Sequence, residues 1–134
     1  MQDSDALQRF IFADLQIRGE LVRLNTAFTA VNERHPYPSV IKDFLGQALA
    51  ASVLLRANLK YTGSLTLQIE GDGPVSLIVA QCNEKLHIRG LAKWESFDPP
   101  AQFANAVGQG YLAITITPNE GERYQGLLNW ATLV

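Results

Sequence analysis

Phe44-Leu45-Gly46-Gln47-Ala48-Leu49-Ala50-Ala51-Ser52-Val53-Leu54-Leu55 is the stretch that decides the fold of this chain. Ile41, Phe44, Leu45, Ala48, Leu49, Ser52 and Leu55 recur at spacings of three and four, the period of an α-helix, and the helical run extends from near Ser39 to about Lys60. The opposite side carries Ala50, Ala51, Val53 and Leu54, so from Phe44 onward the helix is apolar almost all round. A helix of that kind must be covered on more than one side. The expected architecture is therefore α+β, with antiparallel sheets enclosing a central buried helix in a layered β/α/β arrangement.

The strands on either side fit that expectation. Upstream, Arg9 to Leu24 reads as a strand pair in which Phe10, Phe12, Leu15 and Ile17 alternate with polar positions, Arg18-Gly19-Glu20 interrupts, and Leu21-Val22-Arg23-Leu24 resumes. Asn25 or Thr26 can cap a short helix through Arg34, with Phe28 and Val31 on its inner face, and His35-Pro36-Tyr37-Pro38 stops it. Downstream, Leu65, Leu67 and Ile69 alternate inward, Gly71 to Pro74 turns, and Val75 to Ala80 forms a more continuously apolar strand. Cys82 to Lys85 reads as another turn, and Leu86 to Trp94 as a strand alternating through Ile88. Phe97 to Pro100 is a break, and Ala101 to Val107 a short helix ended by Gly108 and Gly110. Tyr111 to Thr117 then alternates, with Leu112, Ile114 and Ile116 on one face. Pro118 ends that strand, Asn119, Glu120 and Gly121 supply a turn, and the chain returns through Tyr124 and Leu127.

Composition bounds the function. With 134 residues, 47% hydrophobic and 18% charged, the chain is a single globular domain able to bury a core without disulfides or metal. A net charge of -2 with the 11 basic residues scattered offers nucleic acid no clustered Lys and Arg. The longest apolar stretch, Phe44 to Leu55, is too short to span a bilayer, and Gln2, Asp3, Ser4 and Asp5 do not open a secretory signal. The lone Cys82 fits a reducing compartment, and the expected location is cytoplasmic.

Catalytic and metal chemistry find little to stand on. His35, His87 and Cys82 show no zinc-binding spacing, and both histidines are expected at the surface, His87 on the polar side of a strand. Gly71-Asp72-Gly73-Pro74 joins two strands and opens no helix, so it lacks the terminus that makes a phosphate site. Phe10, Phe12, Phe44, Trp94 and Phe103 are read as core, and only unusual exposure would make them binding residues.

Three segments do carry a resemblance. Arg18-Gly19-Glu20-Leu21-Val22, Gly71-Asp72-Gly73-Pro74 and Thr117-Pro118-Asn119-Glu120-Gly121-Glu122-Arg123-Tyr124-Gln125-Gly126, at this spacing, resemble the N-terminal domain of the heat-shock protein 33 family. These are bacterial redox-regulated holdase chaperones, also called thirty-three-kilodalton chaperonins. The resemblance runs from about Leu7 to about Leu128. Asn129-Trp130-Ala131-Thr132-Leu133-Val134 does not read like the family's continuation, so a chain cut short relative to the family is expected. The resemblance implies that residues 1–134 are a client-binding and dimerisation domain, not an enzyme, whose partners are unfolded client proteins and a second copy in a homodimer. It implies neither nucleic acid nor membrane as partner. In the family, zinc is held by four cysteines of a C-terminal domain that form disulfides on oxidation. With Cys82 alone, that element is missing here and no cofactor is expected.

No catalytic or metal residue is assigned. Leu127, Leu128 and Trp130 are the candidate apolar contacts to clients, with core packing or a dimer interface as the alternative for each. Two other readings stay open: a small ligand-binding domain or enzyme whose site joins the Asp72 and Glu120–Arg123 turns in one pocket, and a pure dimerisation module.

Overall fold

In the computed structural model, which describes residues 5–60, 62–95 and 98–129, the chain begins with β1 (Ala6–Phe12), β2 (Ile17–Arg23), α1 (Thr26–Arg34) and α2 (Ser39–Ala57). It continues through β3 (Gly63–Gly71), β4 (Val75–Cys82), β5 (Ile88–Trp94), α3 (Phe103–Val107), β6 (Gly110–Pro118) and β7 (Tyr124–Asn129). β1 and β2 form a separate two-stranded hairpin, and the other strands make one sheet in the order β5-β4-β3-β6-β7, antiparallel throughout.

The register explains where the core sits. Leu65, Leu67 and Ile69 of β3 stand opposite Cys82, Ala80 and Ile78 of β4 and opposite Ile116, Ile114 and Leu112 of β6. Side chains of a strand alternate between faces, so these pairings gather one apolar face. α2 packs on it through Ile41, Leu45 and Leu49, all fully buried. The other side of α2 meets β2, and the Phe28 ring of α1 rests on Gly46. The helix thus lies between the five-stranded sheet and the hairpin, the layered α+β arrangement its sequence calls for.

The cover on the far side is thinner than the all-round apolar helix predicts. Leu54 is half-buried and Leu55, expected in the core, is 42% exposed, because a two-stranded hairpin and one short helix cannot blanket a helix of this length. The helix also ends at Ala57 rather than Lys60, where Asn58 and Leu59 N–H groups turn back to the Leu55 and Arg56 carbonyls.

Other boundaries differ for local reasons. β1 and β2 are joined by a short 3-10 turn at Ala13–Leu15 followed by Gln16 at φ 51°, whereas Arg18-Gly19-Glu20 continues the strand. Gly19 lets the Phe10 ring lie across its backbone. Cys82 is the last residue of β4, fully buried opposite Leu65, and not part of a turn. The turn begins one residue later, where the Asn83 side-chain oxygen accepts the Lys85 and His87 N–H groups at 2.9 and 3.0 Å, so exposed His87 precedes β5 rather than sitting on it. α3 starts at Phe103, not Ala101, and ends at Gly108 with φ 73°. Asn25 makes no side-chain cap on α1. Instead the Asp5 carboxylate accepts the Asn25 and Ala27 N–H groups at 2.5 and 2.9 Å, tying the start of the chain to the helix N-terminus. Phe97, within the expected break, lies outside the described residues.

Candidate functional site

β7 forms one edge of the sheet, and all six of its residues are exposed. Leu127 lies opposite Ala113 and Leu128 opposite Leu112, so the two leucines point to opposite faces. Leu128 and Tyr124, opposite Ile116, continue the apolar face on which α2 packs, yet remain 49% and 63% exposed because α2 lies over β3, β4 and β5. Leu127 is 69% exposed on the outer face. The two leucines are thus surface residues rather than core. Trp130 lies outside the described residues.

A second apolar surface lies on the β1–β2 hairpin. Phe10, Phe12, Ile17 and Leu21 share one face of the β1–β2 hairpin, since Phe10 pairs with Gly19, Phe12 with Ile17 and Gln8 with Leu21. The hairpin's other face carries Leu7, Arg9, Glu20 and Val22, and an Arg9 guanidinium N–H donates to the Ala57 carbonyl at 2.8 Å at the end of α2. This arrangement leaves the aromatic face outward. Phe10 is 46% and Phe12 53% exposed, their rings edge-to-face at 5.7 Å, and Ile17 and Leu21 are exposed beside them. Phe103 is also exposed, whereas Phe44 is buried and Trp94 half-buried against the core, so the expectation that all five aromatic residues are core is met only by the last two. Alternation in the sequence identifies residues that share a face but not whether anything covers it. Arg18-Gly19-Glu20, with its glycine under a Phe10 ring, is the local signal that marks this hairpin.

The two turns that could have formed one pocket are separated by the sheet. Gly71, before the Asp72 turn, pairs with Gly110, and Gly63 at the other end of β3 pairs with Pro118, before the Glu120–Arg123 turn. Nine-residue strands put those ends roughly 27 Å apart. The Asp72 carboxylate accepts the Gln109 N–H at 2.8 Å and serves as a structural link to the start of β6. A cleft of about 500 Å³ is lined by Ala27, Val31, Arg34, His87 and Arg89 among others, and another of about 330 Å³ by Arg9, Glu20 and Asn58 among others. Neither contains Asp72, Glu120, Glu122 or Arg123. The reading of a ligand site joining the turns is therefore wrong.

Reactive groups are similarly withdrawn. Burial pushes the Cys82 thiol up to about 11, against a smaller opposing pull from Arg56, so the reactive thiolate is suppressed at neutral pH. Among the described residues, no group of three or more His, Cys, Asp or Glu could hold a metal ion. Among them, too, no helix is long and apolar enough to cross a membrane.

What the fold and these surfaces define, among the described residues, is an antiparallel α+β domain with exposed apolar side chains on two strand elements. Comparison with known proteins places it further. The model of the Hsp33 protein family matches residues 5–132, and the chain belongs to that family. A 33 kDa chaperonin from Shewanella sp. (strain ANA-3) is 46% identical over 125 residues, which is 92% of this chain and 44% of the relative. One from Haemophilus ducreyi is 45% identical over 129 residues, covering 96% and 43%. The crystal structure of the 33 kDa chaperonin of Thermotoga maritima shares the fold with a TM-score of 0.83 at 23% identity, over 95% of this chain and 46% of that one. The chain thus spans less than half the length of the curated relatives it matches.

Proposed function

We propose that this chain is the client-binding part of an ATP-independent holdase chaperone, which suppresses aggregation by covering the apolar groups of unfolding proteins. The observation that carries the reading is the outward face of Phe10, Phe12, Ile17 and Leu21, a contiguous apolar surface on a hairpin whose other face is tied to the end of α2 through Arg9 and leaves Ile11 exposed as well. Large exposed patches on a monomer mark interaction sites. Leu127, Leu128 and Tyr124 of β7 supply a second such surface. Micromolar affinity corresponds to about 8 kcal/mol, and at about 25 cal/mol per Å² this requires roughly 320 Å² of apolar cover before association losses. Several partly exposed aromatic and aliphatic side chains on each partner supply areas of that order. The contact has no fixed stereochemistry, in keeping with a 33 kDa chaperonin rather than an enzyme.

Residues 1–134 on this reading form the client-binding domain, acting in a reducing, cytoplasmic setting on unfolded proteins. The buried Cys82 has no thiol partner, so this region responds to neither peroxide nor zinc chelation. Light scattering of a heated client tests the reading. Scattering should fall equally with oxidised, reduced and chelator-treated chain. Unaffected scattering in all three states refutes holdase action, and suppression only after oxidation refutes the absence of a switch.

A further inference from the structure

The segment from Thr26 to Pro38 is held to the domain more lightly than the helix that follows it. α1 buries one residue, Val31, where α2 buries eight, and the Phe28 ring that rests on Gly46 is only partly covered. In the connector from His35 to Pro38 the one buried side chain is Tyr37, 5% exposed. Its hydroxyl oxygen accepts the N–H of buried Ala92, in the middle of β5, at 3.2 Å, and its ring lies 5.4 Å from that of Trp94. The backbone bonds around the connector stay local, from the Tyr37 N–H to the His35 carbonyl and from the Lys42 N–H to the Pro38 carbonyl. At the other end of α1 the Asp5 carboxylate holds the Asn25 and Ala27 N–H groups. A segment with few buried apolar contacts is the kind that opens before the rest of a domain.

We infer that α1 and its connector form a lid over the β5 side of the core, hinged near Asn25 and latched by Tyr37 on Ala92, and that this lid opens as a unit while α2 and the sheet stay folded. The latch joins the one buried side chain of the connector to a buried N–H of the strand, and a buried N–H left without an acceptor is costly. Closure and the Tyr37 hydroxyl are thereby coupled. Opening bares Val31 and Tyr37 of the core cluster and the Trp94 ring packed against it. An unfolded client, rich in apolar side chains without partners, covers such groups. That last step rests on the holdase reading above and gives it a gated source of apolar surface, whereas the lid and its latch stand apart from that reading.

Residue-resolved hydrogen exchange of the full chain in low denaturant tests the lid, with the parent, Tyr37→Phe and Gly121→Val compared. Tyr37→Phe keeps the ring and removes only the acceptor for Ala92. Gly121→Val strains the β6–β7 turn and weakens the domain as a whole. In the parent, Ala92 and the α1 amides of Ala30, Val31 and Asn32 should share one protection factor, at least tenfold below that of Leu49 in α2. Tyr37→Phe should lower the protection of these amides and of Leu49 by the same factor, because the latch is broken in the open and the unfolded states alike. Gly121→Val should lower that of Leu49 alone, because its turn stays folded when the lid opens. Lid amides that follow Leu49 in Gly121→Val overturn a separate opening, and α1 amides unmoved in Tyr37→Phe overturn the latch. Binding of reduced carboxymethylated α-lactalbumin, a permanently unfolded probe, tests the client step. Apparent affinity rises with the fraction of open lid, so Tyr37→Phe should bind at least threefold more tightly than the parent, and Gly121→Val as the parent does. Equal binding by all three overturns the client step and leaves the holdase reading intact. No binding by any of them, with aggregation of a heated client unsuppressed, overturns both, while the exchange pattern decides the lid independently.

Discussion

The Arg56 guanidinium, on the last turn of α2, donates its Nε–H to the Gly63 carbonyl at 2.8 Å, while the Gly63 N–H donates to a Glu84 carboxylate oxygen at 3.1 Å. One backbone unit at the start of β3 is thus held by a cation from the helix and an anion from the β4–β5 turn. Arg56 is buried and extends a further N–H toward the Leu59 carbonyl. Arg56→Leu removes these donors and leaves buried acceptors unpaired, at a cost of about 1–3 kcal/mol for each that finds no water. The expected outcome is a thermal midpoint lowered by several degrees, and a midpoint equal to the parent's would show that the Gly63 junction does not depend on this side chain.

Glu84 makes the same junction sensitive to acid. Its carboxyl is held below the ordinary carboxylate range by backbone N–H groups, its own and that of Gly63, and by Asn119 and Arg56. Because the folded value is lowered, the stabilisation is fully present above the ordinary value of 4.5 and is lost as pH falls through the lowered one. Glu84→Gln should therefore show a flatter acid limb in stability against pH while differing little in shape above pH about 5. Denaturant titrations across that range measure it.

Gly121 sits at φ 106° in the β6–β7 turn with nothing within 4 Å of the place a Cβ would occupy. Space is available, but the backbone region is one that a β-branched residue resists. Gly121→Val is expected to destabilise by about 1–3 kcal/mol through strain alone. Calorimetric melting decides it, since an unshifted transition would mean the turn relaxes to negative φ at no cost.

How much of this was readable in advance depends on the range of the interaction. The α2 periodicity, the β6–β7 hairpin and the end of α1 before Pro36 and Pro38 are local, and their elements stand within a few residues of the sequence expectation. The N-terminal anchor of α1 comes instead from Asp5, about twenty residues upstream, where capping by Asn25 was the local inference. Cys82 looked like a turn residue because Asn83 follows it, but its pairing with Leu65 and Ile88 keeps it in the sheet. The exposed leucines of β7 were identified as candidates. The Phe10 and Phe12 face reads as core from sequence, since an uncovered apolar face and a covered one have the same alternation. Only the tertiary layout, with α2 on the Arg9 and Glu20 side, determines which face is left outward.

Cys82 gives a prediction at the alkaline end. Its thiol is raised from 9.0 to about 11 by burial, so the unfolded chain loses this proton before the folded one. Stability should be unaffected below pH about 9 and decline between there and about 11. Cys82→Ala should lose that part of the alkaline slope. Native chain at neutral pH should likewise react with a thiol reagent far more slowly than chain in denaturant, and equal rates would contradict the burial.

Gly19→Ala separates the hairpin's outer face from its inner attachment. A Cβ at Gly19 would lie 2.4 Å from the tip of the Phe10 ring, so the ring must swing away from the strand and from its edge-to-face contact with Phe12. The clash is with the far end of a partly exposed side chain, and the Arg9 contact to Ala57 lies on the opposite face. The melting transition should therefore move by no more than the equivalent of about 1 kcal/mol. A displaced Phe10 presents more apolar area, so binding of an apolar fluorescent dye should rise and suppression of client aggregation should be kept or strengthened. Phe12→Ser, which removes one ring from the same face, should lower both readouts. If the two variants move dye binding and aggregation in the same direction, or if neither changes them, the outward face of Phe10 and Phe12 is not where clients are covered.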